Sequence, residues 1–118
     1  MNSQNYDYEI KYEIGEIIQF VQYIEWNLLL RLGIDTNTDF TFGTIVGLVE
    51  KKELLPKSKL QELSVIVDIR NDIVHKYFKR LDFEKHFQNL QFLNSQWRCL
   101  QKIRKKVNDF NSWLVEYK

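Results

Sequence analysis

Apolar residues recur at intervals of three and four along almost the whole chain, and that spacing leaves little but helices for it to form. In the first segment Ile10, Ile14, Ile17, Val21, Ile24 and Leu28 make one helix face, and Leu32-Gly33 supplies the stop, since Gly33 can take a left-handed cap. A polar loop, Asp35-Thr36-Asn37-Thr38-Asp39, leads to a short helix over roughly Thr41 to Glu50, with Ile45, Leu48 and Val49 on one side. Pro56 interrupts the chain. Ser58-x-x-Gln61 then has the form of a capping box opening a third helix, with Leu60, Leu63, Ile66, Val67 and Ile73 on its apolar side. The last stripe is the longest: Phe83, Phe87, Leu90, Leu93, Trp97, Leu100, Ile103, Val107, Phe110 and Leu114. A helix over that stretch would run roughly 50 Å at ~1.5 Å per residue. That outreaches a small domain, so its stripe is expected to pack on more than the helices of its own chain.

Four Gly and one Pro leave few points at which the chain can be interrupted, and no alternating strand pattern, repeat or linker is visible. The expected fold is all-α: one domain over residues 1–118, an up-and-down bundle of about four helices with a long C-terminal helix. A length of 118 residues allows one core and crowds two. The single cysteine, Cys99, excludes an internal disulfide and a cysteine-cluster metal site, and fits a cytoplasmic location. No apolar run approaches the ~20 residues that span a bilayer, and the acidic, Tyr-rich N-terminal stretch does not read as a secretory signal. No membrane association is expected.

The net charge of +1 says little about partners, but its distribution says more. Asp7, Glu9, Glu13, Glu16 and Glu25 against Lys11 give residues 1–30 a charge of −4, whereas eight Lys/Arg against four Asp/Glu give residues 51–80 a charge of +4. Within the basic half lies Arg70-Asn71-Asp72-Ile73-Val74-His75, followed by Lys76-Tyr77, with Lys79 and Arg80 just beyond. A local positive patch of this kind attracts a phosphate backbone.

The residue types in this motif suit cleavage of RNA without a metal. Imidazole ordinarily titrates near neutrality and can give or take a proton. Guanidinium offers a fixed fork of donors matched to phosphate and keeps its charge. Asn71 could donate to a phosphate oxygen or hold the imidazole in one tautomer, and Lys76 and Lys79 could contact phosphates. The attacking hydroxyl would be RNA's own 2′-OH, so DNA should be inert. The motif falls near the end of the third helix, before a break around Arg80-Leu81-Asp82. At ~100° per residue, Arg70 and His75 lie about 140° apart, Asn71 and His75 share a face, and Tyr77 falls within ~20° of Arg70. Arg70 and His75 therefore converge only if the helix bends or ends inside the motif, or if two chains share a cleft across a two-fold axis. Tyr77 is expected to reach the same cleft as Arg70. Asp68 and Asp72 share a face, but no ligand set for a metal accompanies His75, and no cofactor is expected.

Arg-Asn-x-x-x-His-x-Tyr at Arg70–Tyr77 resembles the signature of HEPN-domain ribonucleases, especially the HepT-like toxins. The length and helix pattern agree with that family's compact all-α bundles. The resemblance implies a metal-independent endoribonuclease that works as a homodimer in toxin–antitoxin or antiviral defence. It implies Arg70 and His75 as the catalytic pair, with Asn71 as polar neighbour. It also implies a cognate antitoxin, a nucleotidyltransferase that attaches AMP to the tyrosine matched by Tyr77. Some members of the family have no activity and bind only nucleotides or partners, which is the alternative reading.

The remaining features read as structural. Gly43 to Gly47 lacks the Lys-Ser/Thr of a phosphate loop and is expected to let two helices approach closely. His86 reads as a surface residue, and Cys99 as packing within the last stripe. Lys102, Arg104, Lys105 and Lys106 read as a solvated face, and Trp26, Trp97 and Trp113 as packing residues.

Overall fold

The computed structural model describes all 118 residues, of which none is in a strand. Helix α1 spans Ser3–Leu32. It opens on a reciprocal cap in which the Asn2 side chain accepts from the Asn5 backbone N–H at 2.9 Å and the Asn5 side chain accepts from the Asn2 N–H at 3.3 Å. It closes where expected, at Gly33 with φ +70°, a left-handed conformation that glycine adopts without steric cost. Helix α2 spans Phe42–Lys51, with the Thr41 hydroxyl accepting from the Thr44 N–H at 3.1 Å. Its apolar side buries Phe42, Ile45 and Val49, while Gly43 and Gly47 face open space. The expected close approach at these glycines does not occur.

Helix α3 spans Lys57–His75 and starts directly after Pro56. The Ser58/Gln61 capping box is not formed, because Ser58 already lies within the first turn and the fixed φ of Pro56 starts the helix instead. Lys76, at φ −133°, interrupts the helical path, and α4, Tyr77–Arg80, is a single turn. Residues 81–89 are irregular, with Asp82 in the left-handed region at φ 49°. Helix α5 then spans Leu90–Glu116, its first turn capped by the Asn89 side chain accepting from the Phe92 N–H at 3.1 Å.

The last helix is thus shorter than its apolar stripe. Phe83 is buried without being helical, edge-on to Phe78 at 5.0 Å and to Phe92 at 6.0 Å. At 27 residues α5 is about 40 Å long. It lies along the 30-residue α1, and the molecule's longest dimension is 48 Å. Its stripe is therefore covered within the chain, and the expectation that it must seek a partner outside is corrected.

Cross-links show how the long helices run. The Tyr6 hydroxyl donates to Asn94 Oδ1 at 3.1 Å, Arg104 pairs with Glu13, and Arg31 donates to the Leu114 carbonyl at 2.6 Å. Residue numbers rise together, so α1 and α5 are parallel. α3 runs the other way, with Lys59 near its start over the Trp113 ring at 4.6 Å and Tyr77 just past its end bonded to Gln96. One core of 21 apolar residues joins the helices, built from Ile10, Ile17, Ile24 and Leu28 of α1, Leu63 and Ile66 of α3, and Leu93, Leu100 and Leu114 of α5. Each such side chain contributes about 1.5–3 kcal/mol by leaving water. Glu13 is the one buried charge. No helix is long and apolar enough to cross a membrane.

Candidate functional site at the end of α3

The motif occupies the last turns of α3, and the helix stays unbroken through His75. Arg70 and His75 therefore keep the divergence of about 140° that helical geometry imposes, and bending inside the motif does not bring them together. Asn71 and His75, one turn apart, do share a face, which is exposed. With Asp68, Asp72 and Lys76 they line an open hollow that contains no apolar side chain.

Arg70 is on the other side. It is half-buried, makes one long contact from Nη1 to Asn71 Oδ1 at 3.4 Å, and its charge is felt at Glu25 of α1. Burial raises the Glu25 carboxyl above its ordinary range, and the Arg70 guanidinium partly offsets that. This side of α3 is its packing side, carrying Leu63, Ile66 and Ile73.

Tyr77 also turns inward, but toward α5. Only 5 % of the residue is exposed, its hydroxyl donates to Gln96 Oε1 at 3.1 Å, and its ring stands edge-on to Phe78 at 5.2 Å. Burial raises its hydroxyl well above the usual tyrosine range. The expectation that Tyr77 and Arg70 line one cleft is corrected: the face they share is the core face, and each engages a different helix. Attaching AMP to Tyr77 would require its hydroxyl to leave this site.

Lys76 sits at the helix break, its N–H donating to the Asp72 carbonyl at 2.8 Å and its side chain on the rim of the hollow. Lys79 does not join it. It lines a separate hollow with Asp7, Lys11, Phe78 and Phe83. Arg80, read from the sequence only as part of the basic patch, instead donates from Nε and Nη2 to Asp72, each at 3.0 Å. This two-pronged bond ties α4 to the end of α3 and masks one of the two carboxylates in the hollow, the other being Asp68. The hydrogen bond to Asp72 raises the Arg80 pKa further. An eight-residue separation across a helix break has no periodic signature, so only the position of the break reveals the pair.

Elsewhere, His86 packs its ring on Phe92 at 4.8 Å, and Trp97 and Trp113 pack on Tyr6 and Tyr117. Cys99 and Trp26, expected to pack, are both exposed. In the basic run, Arg104 is tied to Glu13 and Lys105 to Asp109 at 3.1 Å, while Lys102 and Lys106 border a groove against α3. No three His, Cys, Asp or Glu side chains converge in a metal-binding arrangement. Comparison with protein-family models, curated proteins and solved structures finds no match.

Proposed function

We propose that this chain is an endoribonuclease that cleaves RNA through the 2′-hydroxyl, with His75 moving protons and Asn71 orienting the imidazole or bonding a phosphate oxygen. The observation that carries the reading is the exposed polar hollow where Asn71, His75 and Lys76 meet at the end of α3. An imidazole there is open to a ligand as large as an RNA strand, an amide stands one turn away, and Lys76 offers a charge for phosphate. The resemblance of Arg70–Tyr77 to HEPN-domain toxins supplies the setting, toxin–antitoxin or antiviral defence. Arg70 of the same chain does not line the hollow and reaches it only through its long contact to Asn71, so in this reading the phosphate clamp comes from a second copy whose Arg70 swings toward it, making the active species a homodimer with a shared site. A cognate antitoxin would act by covering the hollow, since the Tyr77 hydroxyl is committed to Gln96.

One observation favours a second reading, a helical module that binds a nucleotide or partner without cutting RNA: Arg70 already has Glu25 as an electrostatic neighbour and needs no substrate. Mixing the two single variants separates these readings. Arg70→Ala and His75→Ala chains, each inactive alone, should regain part of the cleavage of a labelled RNA when combined, because a shared site then holds one intact set. Cleavage by either variant alone at the wild-type rate rules out the catalytic reading.

A further inference from the structure

The outward face of α1 carries a second periodic row. Tyr8, Tyr12, Gly15, Gln19, Tyr23, Trp26 and Leu30 are all exposed. At ~100° per residue they fall within an arc of about 80°, opposite the buried row Ile10, Ile17, Val21, Ile24 and Leu28. None of the seven is charged, and the five large side chains are between 48 % and 70 % exposed. Isolated exposed apolar residues need no explanation, but four aromatics and a leucine aligned along ~33 Å of one helix mark a surface that meets another.

The spacing identifies what it meets. Read from Tyr8 to Leu30 the intervals are four, three, four, four, three, four, and read from Leu30 back to Tyr8 they are the same. Two copies of α1 laid antiparallel about a two-fold axis at Gln19 therefore place Tyr8 against Leu30, Tyr12 against Trp26, Gly15 against Tyr23 and Gln19 against its own copy. A two-fold interface needs this self-complementarity, since each contact must occur twice. Sizes match as well as positions: nothing lies within 4 Å of where a Gly15 side chain would begin, which leaves a hole for the Tyr23 ring of the other copy. Gln19 Nε2 donates to the Tyr23 hydroxyl at 2.9 Å, so one of the amide's donors at the centre is already bonded.

The exposed parts of these side chains amount to about 500 Å² per chain, taking an aromatic side chain as roughly 200 Å². Two copies thus bring about 1,000 Å² together, and flanking polar residues extend it toward the 1,200–2,000 Å² of a stable interface. We infer that the chain forms a homodimer through antiparallel pairing of α1 in this register. The row excludes every residue of the α3 hollow, so this pairing is a contact separate from the one that would share Arg70 across the hollow, and the inference stands whether or not RNA is cleaved.

Register-specific cross-linking tests it. In a Cys99→Ser background, Gln19→Cys should join two chains through a short bis-maleimide. Tyr8→Cys alone should not, its two copies lying ~33 Å apart, but Tyr8→Cys mixed with Leu30→Cys should. Light scattering should give twice 14.4 kDa for the wild type, and Trp26→Glu, at an exposed position, should raise the dimer dissociation constant at least ~30-fold with helix content unchanged. A monomer at 100 µM, a dimer indifferent to Trp26→Glu, or Tyr8→Cys joining as fast as Gln19→Cys would overturn the pairing. RNA cleavage is no part of these readouts: a monomer would remove the shared-site dimer of the ribonuclease reading as well, whereas a dimer indifferent to Trp26→Glu or joined in another register overturns the α1 pairing and leaves that reading untouched.

Discussion

Breaking the Glu13–Arg104 pair should cost more than any other single polar change in the molecule. The Glu13 side chain is 4 % exposed and Arg104 Nε is its one hydrogen-bond donor, whereas the Arg104 side chain is 36 % exposed. Arg104→Met keeps the apolar stem but leaves a carboxylate buried between α1 and α5 without a counter-charge. Removing one member of a buried pair costs about 3–5 kcal/mol, and because water reaches the guanidinium end the lower figure applies, about 3 kcal/mol. For a chain of this length that lowers the melting temperature by about 12 °C. Glu13→Leu combined with Arg104→Met removes both charges and should recover most of the loss, since an apolar replacement of a buried pair is often neutral or better. Urea unfolding followed by circular dichroism gives the four stabilities of the cycle. A cost below about 1 kcal/mol for Arg104→Met, or a double variant no more stable than that single one, would refute the argument that Glu13 depends on this partner.

Other consequences are smaller. Tyr77→Phe loses one hydrogen bond to a half-buried amide that can turn toward water, so unfolding experiments should show a loss of about 1 kcal/mol. Because folding raises the Glu25 pKa, the folded chain holds that proton more tightly than the unfolded one, and the group's contribution is lost as pH rises from the ordinary carboxyl range through the raised value. Glu25→Gln should therefore gain stability relative to wild type between about pH 4 and pH 7, the range that contains the ordinary carboxyl pKa, and Arg70→Ala, which removes the opposing charge, should steepen the wild-type decline; both are read from urea midpoints across that range. Leu100→Ala, at a fully buried core position, should cost about 2–5 kcal/mol in the same assay.

The helices were legible because a buried face needs apolar residues every three or four positions, and α1 ends at Gly33 as its left-handed φ requires. The start of α5 was not, since Phe83 and Phe87 keep the helical spacing while packing from an irregular segment whose burial comes from aromatic contacts rather than helix geometry. Nor does periodicity name partners: it gives α5 a sticky face without saying that a parallel α1 covers it. The outer row of α1 was present in the sequence at the same three/four spacing, hidden behind the stronger inner row. At the motif, the common face of Asn71 and His75 followed from their four-residue separation. That the side bearing Arg70 and Tyr77 is the packing side could be read from Leu63, Ile66 and Ile73. Which helices they meet, through Glu25 and Gln96, depends on tertiary neighbours that local spacing does not encode.

The central claim is that His75, exposed beside Asn71 at the end of α3, moves protons during RNA cleavage. Its most direct test is the cleavage rate of a labelled RNA with EDTA present, for wild type and His75→Ala, beside the same oligonucleotide made as DNA. Cleavage of RNA alone is expected, with a loss of about a hundredfold or more in His75→Ala and circular dichroism and melting nearly unchanged because the side chain is exposed. RNA cleavage by His75→Ala at the wild-type rate, or no cleavage by the wild-type protein, would contradict it.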